Sequence, residues 1–428
     1  MNVLWMTYAP LGAACEALET ARAQSGSWVD ATARALVGTE ERPKLAVATL
    51  TSGNELRITE KDGVTYYAVP GGHAHRGVRA PRQNVALWRQ VVESFHPDLI
   101  QFWGSEYTDG LDLMEAAPGV PSVLYTQGVI TAIDKYPNGG LSLRELRAAQ
   151  PLPFKPIVAK YHQDAARMRQ QVPFEQELAR RVNCIITDND WCVGFFRGIA
   201  PQASVAFHML PMNEAFQAVR WTPEDCVPHT IFCNAGRTPY KGIHMAVRAL
   251  ALVRERYPNV KLRIPGAINF ERMENWRTPP YFRYLYRLAK DLNVLECLEF
   301  PGVLTSEQMA REMQRANVFV MPSAIENLST TLREAMLVGT PAVSASVGCV
   351  QEYLHHGHNG YLYRYEEYEL LAQYIMRLFA DLRQAEFFSD EARRTIRTMY
   401  VRDDAGARLE EIYCQVLKNS ASASSQMG

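Results

Sequence analysis

No C-x-x-C pair occurs among the eight cysteines, and the closest two, Cys226 and Cys233, stand seven residues apart. That spacing argues against a zinc site and for reduced thiols in a reducing compartment. No run approaches the roughly 18 apolar residues that a membrane span requires. The opening residues, Met1-Asn-Val-Leu-Trp-Met-Thr7, lack the basic and apolar regions of a secretory leader, so the expected location is the cytoplasm. Charge of one sign is missing as well. With 45 basic and 46 acidic side chains and a net charge of −1, the chain presents no global field for nucleic acid. The hydrolase elbow G-x-S-x-G and the dinucleotide fingerprint G-x-G-x-x-G are absent, and no internal repeat is visible.

What is present is an alternation of short apolar strands and helices across 428 residues, too long for one ordinary core. It predicts an α/β chain of two domains with parallel sheets, whose ligands sit at the carboxyl ends of the strands. In the first half, strands are expected at Asn2–Thr7, Lys44–Leu50, Asp98–Trp103, Pro121–Thr126 and Val182–Thr187, with a hairpin at Leu56–Thr59 and Val64–Val69. Gly12 follows the first strand at a helix start, where backbone amides can approach a phosphate, although an ordinary turn glycine is an equal reading. Trp103, Glu106 and Gln127 are expected to line the carboxyl edge. Asp188-Asn-Asp190 could hold a divalent metal, but aspartate also opens helices, and a helix at Trp191–Phe196 follows. His355, His356 and His358 lie in a polar loop without cysteine or aspartate, so no metal site is expected.

Residues 144–181 carry eight basic and four acidic side chains and prolines at 151, 153, 156 and 173. Interleaved apolar residues make this stretch either a solvated excursion or a surface for anionic lipid or a phosphate-bearing acceptor. Sedimentation with anionic liposomes separates the two.

The second half concentrates the chemistry. A strand at Thr230–Ala235 leads into Gly236-Arg-Thr-Pro-Tyr-Lys-Gly242 and a long helix, Ile243–Arg254. Arg237 and Lys241 supply a bidentate fork and a point charge at a helix start, where the macrodipole disfavours cations unless an anion binds. Further strands are expected at Val260–Ile264, Leu295–Phe300 and Val318–Met321, with helices at Tyr281–Leu292 and Ser306–Arg315. The run Met321–Ser344 reads as strand end, loop, helix and strand. Asn327 or Ser329 is expected to cap the helix, Leu332 and Met336 to face the core, and Gly339 and Pro341 to end it. Glu326 and Glu334 bracket the helix start, an anion site in itself; carboxylates there suit neutral hydroxyls rather than the phosphate, which points to a nucleotide-sugar.

Glu326-x7-Glu334, preceded by Arg237 and Lys241 and followed by Gly339-Thr-Pro341 and Gly348…Glu352, resembles the retaining nucleotide-sugar glycosyltransferases of family four, strongly over 229–363 and diffusely before that. Their GT-B fold implies two Rossmann-like doubly wound domains facing across a cleft. The implied division is 1–212 for the acceptor side, 213–400 for the nucleotide-sugar, and a helix at 401–418 crossing back to the first domain. A tail at 419–428 is expected to be disordered.

The resemblance implies that Arg237 and Lys241 bind the donor diphosphate, that Glu334 takes ribose hydroxyls, and that Glu326 takes the transferred sugar. Amides of Asn327, Leu328, Ser329 and Thr330 would meet sugar and phosphate, and the turn around Val303 the base. Gly12 and Gln127 complete the expected donor contacts, Gln127 standing where a histidine is usual; Trp103, Glu106 and Asp190 are expected on the acceptor side. No cofactor or metal is implied beyond a UDP- or GDP-linked sugar as co-substrate.

Trp-Gly-Ser-Glu106, Tyr-Thr-Gln-Gly128 and Ile-Glu-Asn327 resemble bacterial members that build polysaccharides. A glycan or lipid-linked acceptor is therefore expected, with the protein cytoplasmic or peripheral on the inner face of the membrane. Glu326 and Glu334 would lie about 12 Å apart along a helical path, too far to flank one anomeric carbon as hydrolase carboxylates do. No glycosyl-enzyme is expected, but a same-face displacement. A nucleotide-sugar 2-epimerase and a non-catalytic nucleotide-sugar-binding protein are the alternatives on this architecture.

Overall fold

Near-continuous apolar runs such as Val3–Met6 cannot sit with one face in water, and they form the middle of parallel sheets covered on both sides. The computed structural model describes residues 1–8, 15, 27–39, 43–51, 53, 55–70, 84–106, 108–233, 236–268, 270, 273, 275, 278–399 and 405–427; the side chains of 27, 157, 159–165, 167 and 423–427 are not described. Gly12 and the loop at 71–77 therefore lie outside the described residues.

The chain divides into two units. The first comprises Met1–Thr131, Arg167–Pro211 and Arg402–Gly428. Its strands are β1 (Asn2–Thr7), β2 (Lys44–Thr51), β3 (Arg57–Lys61), β4 (Val64–Pro70), β5 (Leu99–Trp103), β6 (Ser122–Tyr125), β7 (Cys184–Thr187) and β8 (Ser204–Phe207). They form one sheet in the order β3-β4-β2-β1-β5-β6-β7-β8. Only β3 runs antiparallel, as the first arm of the hairpin with β4. The helix Ala405–Met427 belongs to this unit: Tyr413, fully buried, accepts from Trp5 Nε1 (3.0 Å) and donates to Gln101 Oε1 (2.6 Å). The expected disorder at 419–428 is corrected here, since the helix runs on to Met427. Alanine and serine, which read as tail composition, also permit helix when an apolar face upstream is anchored.

The second unit comprises Ala132–Ala166 and Met212–Val401. Its strands β9 (Thr230–Cys233), β10 (Lys261–Arg263), β11 (Leu298–Glu299), β12 (Val318–Met321), β13 (Ala342–Ala345) and β14 (Tyr361–Tyr363) are all parallel, in the order β11-β10-β9-β12-β13-β14. The helix Ser306–Arg315 opens on a capping box in which Thr305 and Gln308 satisfy each other's backbone amides. Only Leu298–Glu299 of the expected strand at 295–300 is extended; Leu295–Cys297 forms a single 3-10 turn.

The larger correction concerns residues 132–166. They fall within the expected first domain by sequence, yet pack with the second unit. Gln150 Nε2 donates to the Pro280 carbonyl (3.0 Å), Arg287 donates to that of Ala148 (2.6 Å), and the Arg283 guanidinium lies 4.2 Å over Phe154. The basic stretch 144–181 is thus shared between the units, its helix Ile157–Arg181 running through the boundary. Among the described residues no helix is long and apolar enough to cross a membrane.

Candidate functional site

Strand order reverses in the second sheet between β9 and β12, so the two crossovers leave in opposite directions and open a crevice at their carboxyl ends. The loops that fill that position carry the charged residues singled out above. After β9 the chain makes a one-turn 3-10 helix, Pro239–Lys241, then Gly242, then the helix Ile243–Arg256. After β12 it runs through Pro322–Glu326 into the helix Thr330–Val338.

Lys241 Nζ donates to Glu326 Oε1 at 2.7 Å, and the Ala324 amide donates to the Tyr240 carbonyl, also at 2.7 Å. Two glycines clamp the second loop. Gly242, at φ +71°, lies so close that a Cβ would stand 1.7 Å from the Pro322 carbonyl oxygen. Gly348, at φ +53° and following β13, would place a Cβ 1.8 Å from the Glu326 carbonyl oxygen. Both positions need the left-handed backbone and the absence of a side chain together. The Cys349 amide then donates to the Glu326 carbonyl (3.2 Å), and Ser329 Oγ meets Cys349 Sγ at 3.3 Å. Three consecutive loops of the sheet edge are laced around Glu326.

Burial would lower the pKa of the Lys241 ammonium, but the charge of Glu326, with smaller help from Tyr240 and the hydrogen bond, carries it above the ordinary value. Lys241 is therefore a fixed cation. Glu334, half-buried on the Thr330–Val338 helix, behaves otherwise: burial pushes its carboxyl up to about 8, against the opposing pull of Arg333. At neutral pH it is mostly an O–H donor with a free acceptor oxygen, suited to a hydroxyl and not repelled by a nearby phosphate.

Raised acid values cost stability as pH rises. The unfolded carboxyl ionises near 4.3 while the folded one stays protonated to about 8. Stability from this group is complete below the unfolded value and is lost as pH climbs through the folded one. Glu334→Gln should match the parent near pH 4 and exceed it above pH 8 by on the order of a few kcal/mol in urea unfolding. A gap independent of pH would contradict this.

The structure brings Lys241, Glu326, Ser329 and, through backbone, Gly348 and Cys349 together. Asn327 is buried, Leu328 and Thr330 are half-buried, and Arg237 is exposed, with no ion-pair partner among the described residues. Val303 is also exposed. The expected side-chain cap at Ser329 is corrected: Ser329 is the N-cap residue but takes a left-handed backbone (φ 47°) and makes no side-chain cap bond, its hydroxyl facing Cys349. A non-glycine residue in that region holds strain of the order of 1–3 kcal/mol, a feature that clusters at functional loops.

In the first unit, Glu106 and Gln127 do stand at the carboxyl ends of β5 and β6. Glu106 Oε1 accepts from the Gly128 amide at 2.8 Å, and burial, then the charge of Glu175, pushes its carboxyl up to about 7. Glu175, which the sequence does not single out, is fully buried and takes Ser105 Oγ (2.7 Å) and the amides of Ile130 (2.8 Å) and Thr131 (2.7 Å). A glutamate among the apolar positions of a helix is its only signal. Trp103 is corrected from edge to core: it is 2% exposed, stacked on Tyr125 at 4.5 Å and edge-on to Trp5 at 5.0 Å. Asp190 is the exposed first residue of the helix Asp190–Ile199, whose amide at Cys192 is capped by Asn189.

Comparison with known proteins gives a consistent picture. Residues 227–395 match the family described as glycosyl transferases group 1. A GDP-mannose-dependent alpha-(1-6)-phosphatidylinositol monomannoside mannosyltransferase of Mycolicibacterium smegmatis is 28% identical over 189 residues, 42% of this chain and 47% of that protein. The chain spans less than half the length of the curated relatives it matches. Among solved structures, a sucrose-phosphate synthase from Thermosynechococcus elongatus superimposes with a TM-score of 0.71 at 17% identity, covering 98% of this chain and all of that one. HepE of Anabaena, in complex with UDP, gives 0.64 at 16% identity over 97% of this chain and all of that one. Both neighbours share the GT-B fold.

Proposed function

We propose that this chain, whose residues 227–395 match the glycosyl transferases of group 1 and which has the GT-B fold, moves a hexosyl group from a nucleotide-sugar to a glycan or lipid-linked acceptor in bacterial polysaccharide synthesis, with retained anomeric configuration and without a metal. The observation that carries this reading is the Lys241–Glu326 pair at the strand-order reversal, beside the first turn of the Thr330–Val338 helix. The donor diphosphate binds at Arg237, Lys241 and the amides of 328–330. As the anomeric C–O bond breaks, negative charge gathers on the departing diphosphate, and each such contact lowers the barrier by on the order of 3 kcal/mol. The acceptor oxygen attacks from the same face and its proton passes to the departing phosphate. Glu326 holds the sugar and Glu334 the ribose, Gln127 meets the donor, and Glu106 serves the acceptor side.

The relative's dependence on GDP-mannose and the UDP held by HepE support UDP- and GDP-linked hexoses as donors. Incubation with each, with and without candidate acceptors, tests the reading: nucleoside diphosphate should appear only when acceptor is present. Conversion of donor without acceptor would favour an epimerase instead, and tight binding without turnover a sensor. The basic stretch 144–181 is proposed to rest on anionic lipid, and failure to sediment with anionic liposomes at low salt would remove that part.

A further inference from the structure

The turn that presents Lys241 is a single 3-10 turn of three residues, Pro239–Lys241, closed by only two backbone bonds, from the Lys241 amide to the Thr238 carbonyl (3.1 Å) and from the Gly242 amide to the Pro239 carbonyl (2.8 Å). Such a turn has little stability of its own. Its reverse side is covered by Gly139, from the segment 132–166. A Cβ on Gly139 would stand 2.3 Å from the Pro239 carbonyl oxygen and 2.9 Å from the Tyr365 hydroxyl. The two backbones are therefore in direct contact, at a distance only glycine allows.

Two side chains fix that contact by gripping the Gly139 carbonyl. Tyr365 donates to it at 2.7 Å and His244 Nε2 lies 3.0 Å from it. A carbonyl can only accept, so the His244 proton is on Nε2. Nδ1 must then accept from the Tyr281 hydroxyl, 2.9 Å away. The Tyr281 oxygen in turn receives the His244 backbone amide at 3.3 Å. Burial, with Arg248 adding to it and the Gly139 bond and Glu145 opposing, pushes the imidazole down to about 4. It stays neutral, and one tautomer serves across the physiological range.

The segment is anchored at its other end too. Ser142 and Glu145 form a capping box that starts the helix Leu143–Ala148, Leu146 is fully buried, and Gln150 both donates to the Pro280 carbonyl and accepts from Arg283 at 3.3 Å. A stretch that the chain sends out of the first unit is thus tied down at two points of the second, one of them the back of the Lys241 turn.

We infer that residues 137–150 are a positioning strap for the donor-binding turn, with His244 and Tyr365 as positioning residues that hold Lys241 at Glu326 by locking Gly139 onto Pro239. The inference rests on the proposed role of Lys241 in holding the donor diphosphate. It differs from a merely structural role in what it moves: affinity for the diphosphate, through residues that do not touch it.

The test uses the full chain and four variants. UDP and GDP are titrated calorimetrically into the parent, Lys241→Ala, Tyr365→Phe, His244→Leu and His244→Gln, and amide hydrogen exchange is followed across 237–243. Tyr365→Phe removes one hydroxyl and nothing else, so folding is not at risk. Affinity for the nucleoside diphosphate should fall about tenfold in Tyr365→Phe and His244→Leu, the loss expected from one buried hydrogen bond. Exchange of the turn amides should rise in both variants, and His244→Gln, which keeps an N–H donor, should recover much of the difference. Unchanged affinity in both while Lys241→Ala loses it would overturn the inference and leave the functional reading intact. If the parent binds neither nucleotide, the functional reading fails, and unchanged exchange at 237–243 would then overturn the strap as well.

Discussion

Lys241→Ala should lose about 2–3 kcal/mol of folding stability at neutral pH, although the residue removed is polar and partly exposed. The cost comes from what is left behind. Glu326 is 8% exposed, and its Oε1 faces the lysine at 2.7 Å, so truncation strands a carboxylate in a site built to hold a pair. Removing both charges should be cheaper than removing one. Lys241→Met combined with Glu326→Gln leaves no ion without a partner, and is expected to sit within about 1 kcal/mol of the parent. Urea unfolding of the parent, the two single variants and the double variant measures the coupling. Additive losses would show that the pair contributes nothing beyond its separate members.

Gly348→Ala should be among the most damaging single methyls in the second unit. Alanine at φ +53° is strained, and its Cβ would lie 1.8 Å from the Glu326 carbonyl oxygen, a backbone atom that cannot rotate away. Either the Pro322–Glu326 loop moves or the turn after β13 does, and both carry the site. A loss of about 3 kcal/mol, or roughly 6–12 °C in melting temperature for a unit of this size, is expected, together with loss of transferase activity. Gly357 is the internal control, since it has φ +76° but a Cβ there would meet nothing within 4 Å. Gly357→Ala should cost only about 1 kcal/mol, from the backbone conformation alone. Similar losses at both positions would mean that the contact with Glu326 is not tight.

The site is legible in the sequence where local rules act alone. Arg237 and Lys241 stand out because the macrodipole disfavours cations at a helix start, and Glu326 and Glu334 because carboxylates beside an anion site suit neutral hydroxyls. The helices Thr330–Val338 and Ser306–Arg315 follow from apolar spacing and caps, and Leu332 and Met336 are fully buried. What the sequence hides depends on distant partners. The packing of Gln150 on Pro280 joins residues 130 apart in sequence, and no local pattern announces it. Trp103 reads as an edge residue because it ends a strand, but its ring points between Trp5 and Tyr125. Ser329 looks like a helix cap by residue type, whereas its backbone turns left-handed and its hydroxyl faces Cys349. Glycine contacts are invisible for the same reason: nothing local to Gly242 or Gly348 announces the opposing carbonyls of Pro322 and Glu326.

A charge reversal at the centre of the proposed donor site is the most direct measurement. Calorimetric titration of UDP and GDP into the parent and into Lys241→Glu should show one nucleoside diphosphate bound by the parent, and binding weakened by at least about a hundredfold in the variant, the effect of exchanging attraction for repulsion next to a pyrophosphate. Equal affinity in the two proteins would contradict the assignment of the donor to the carboxyl ends of β9 and β12.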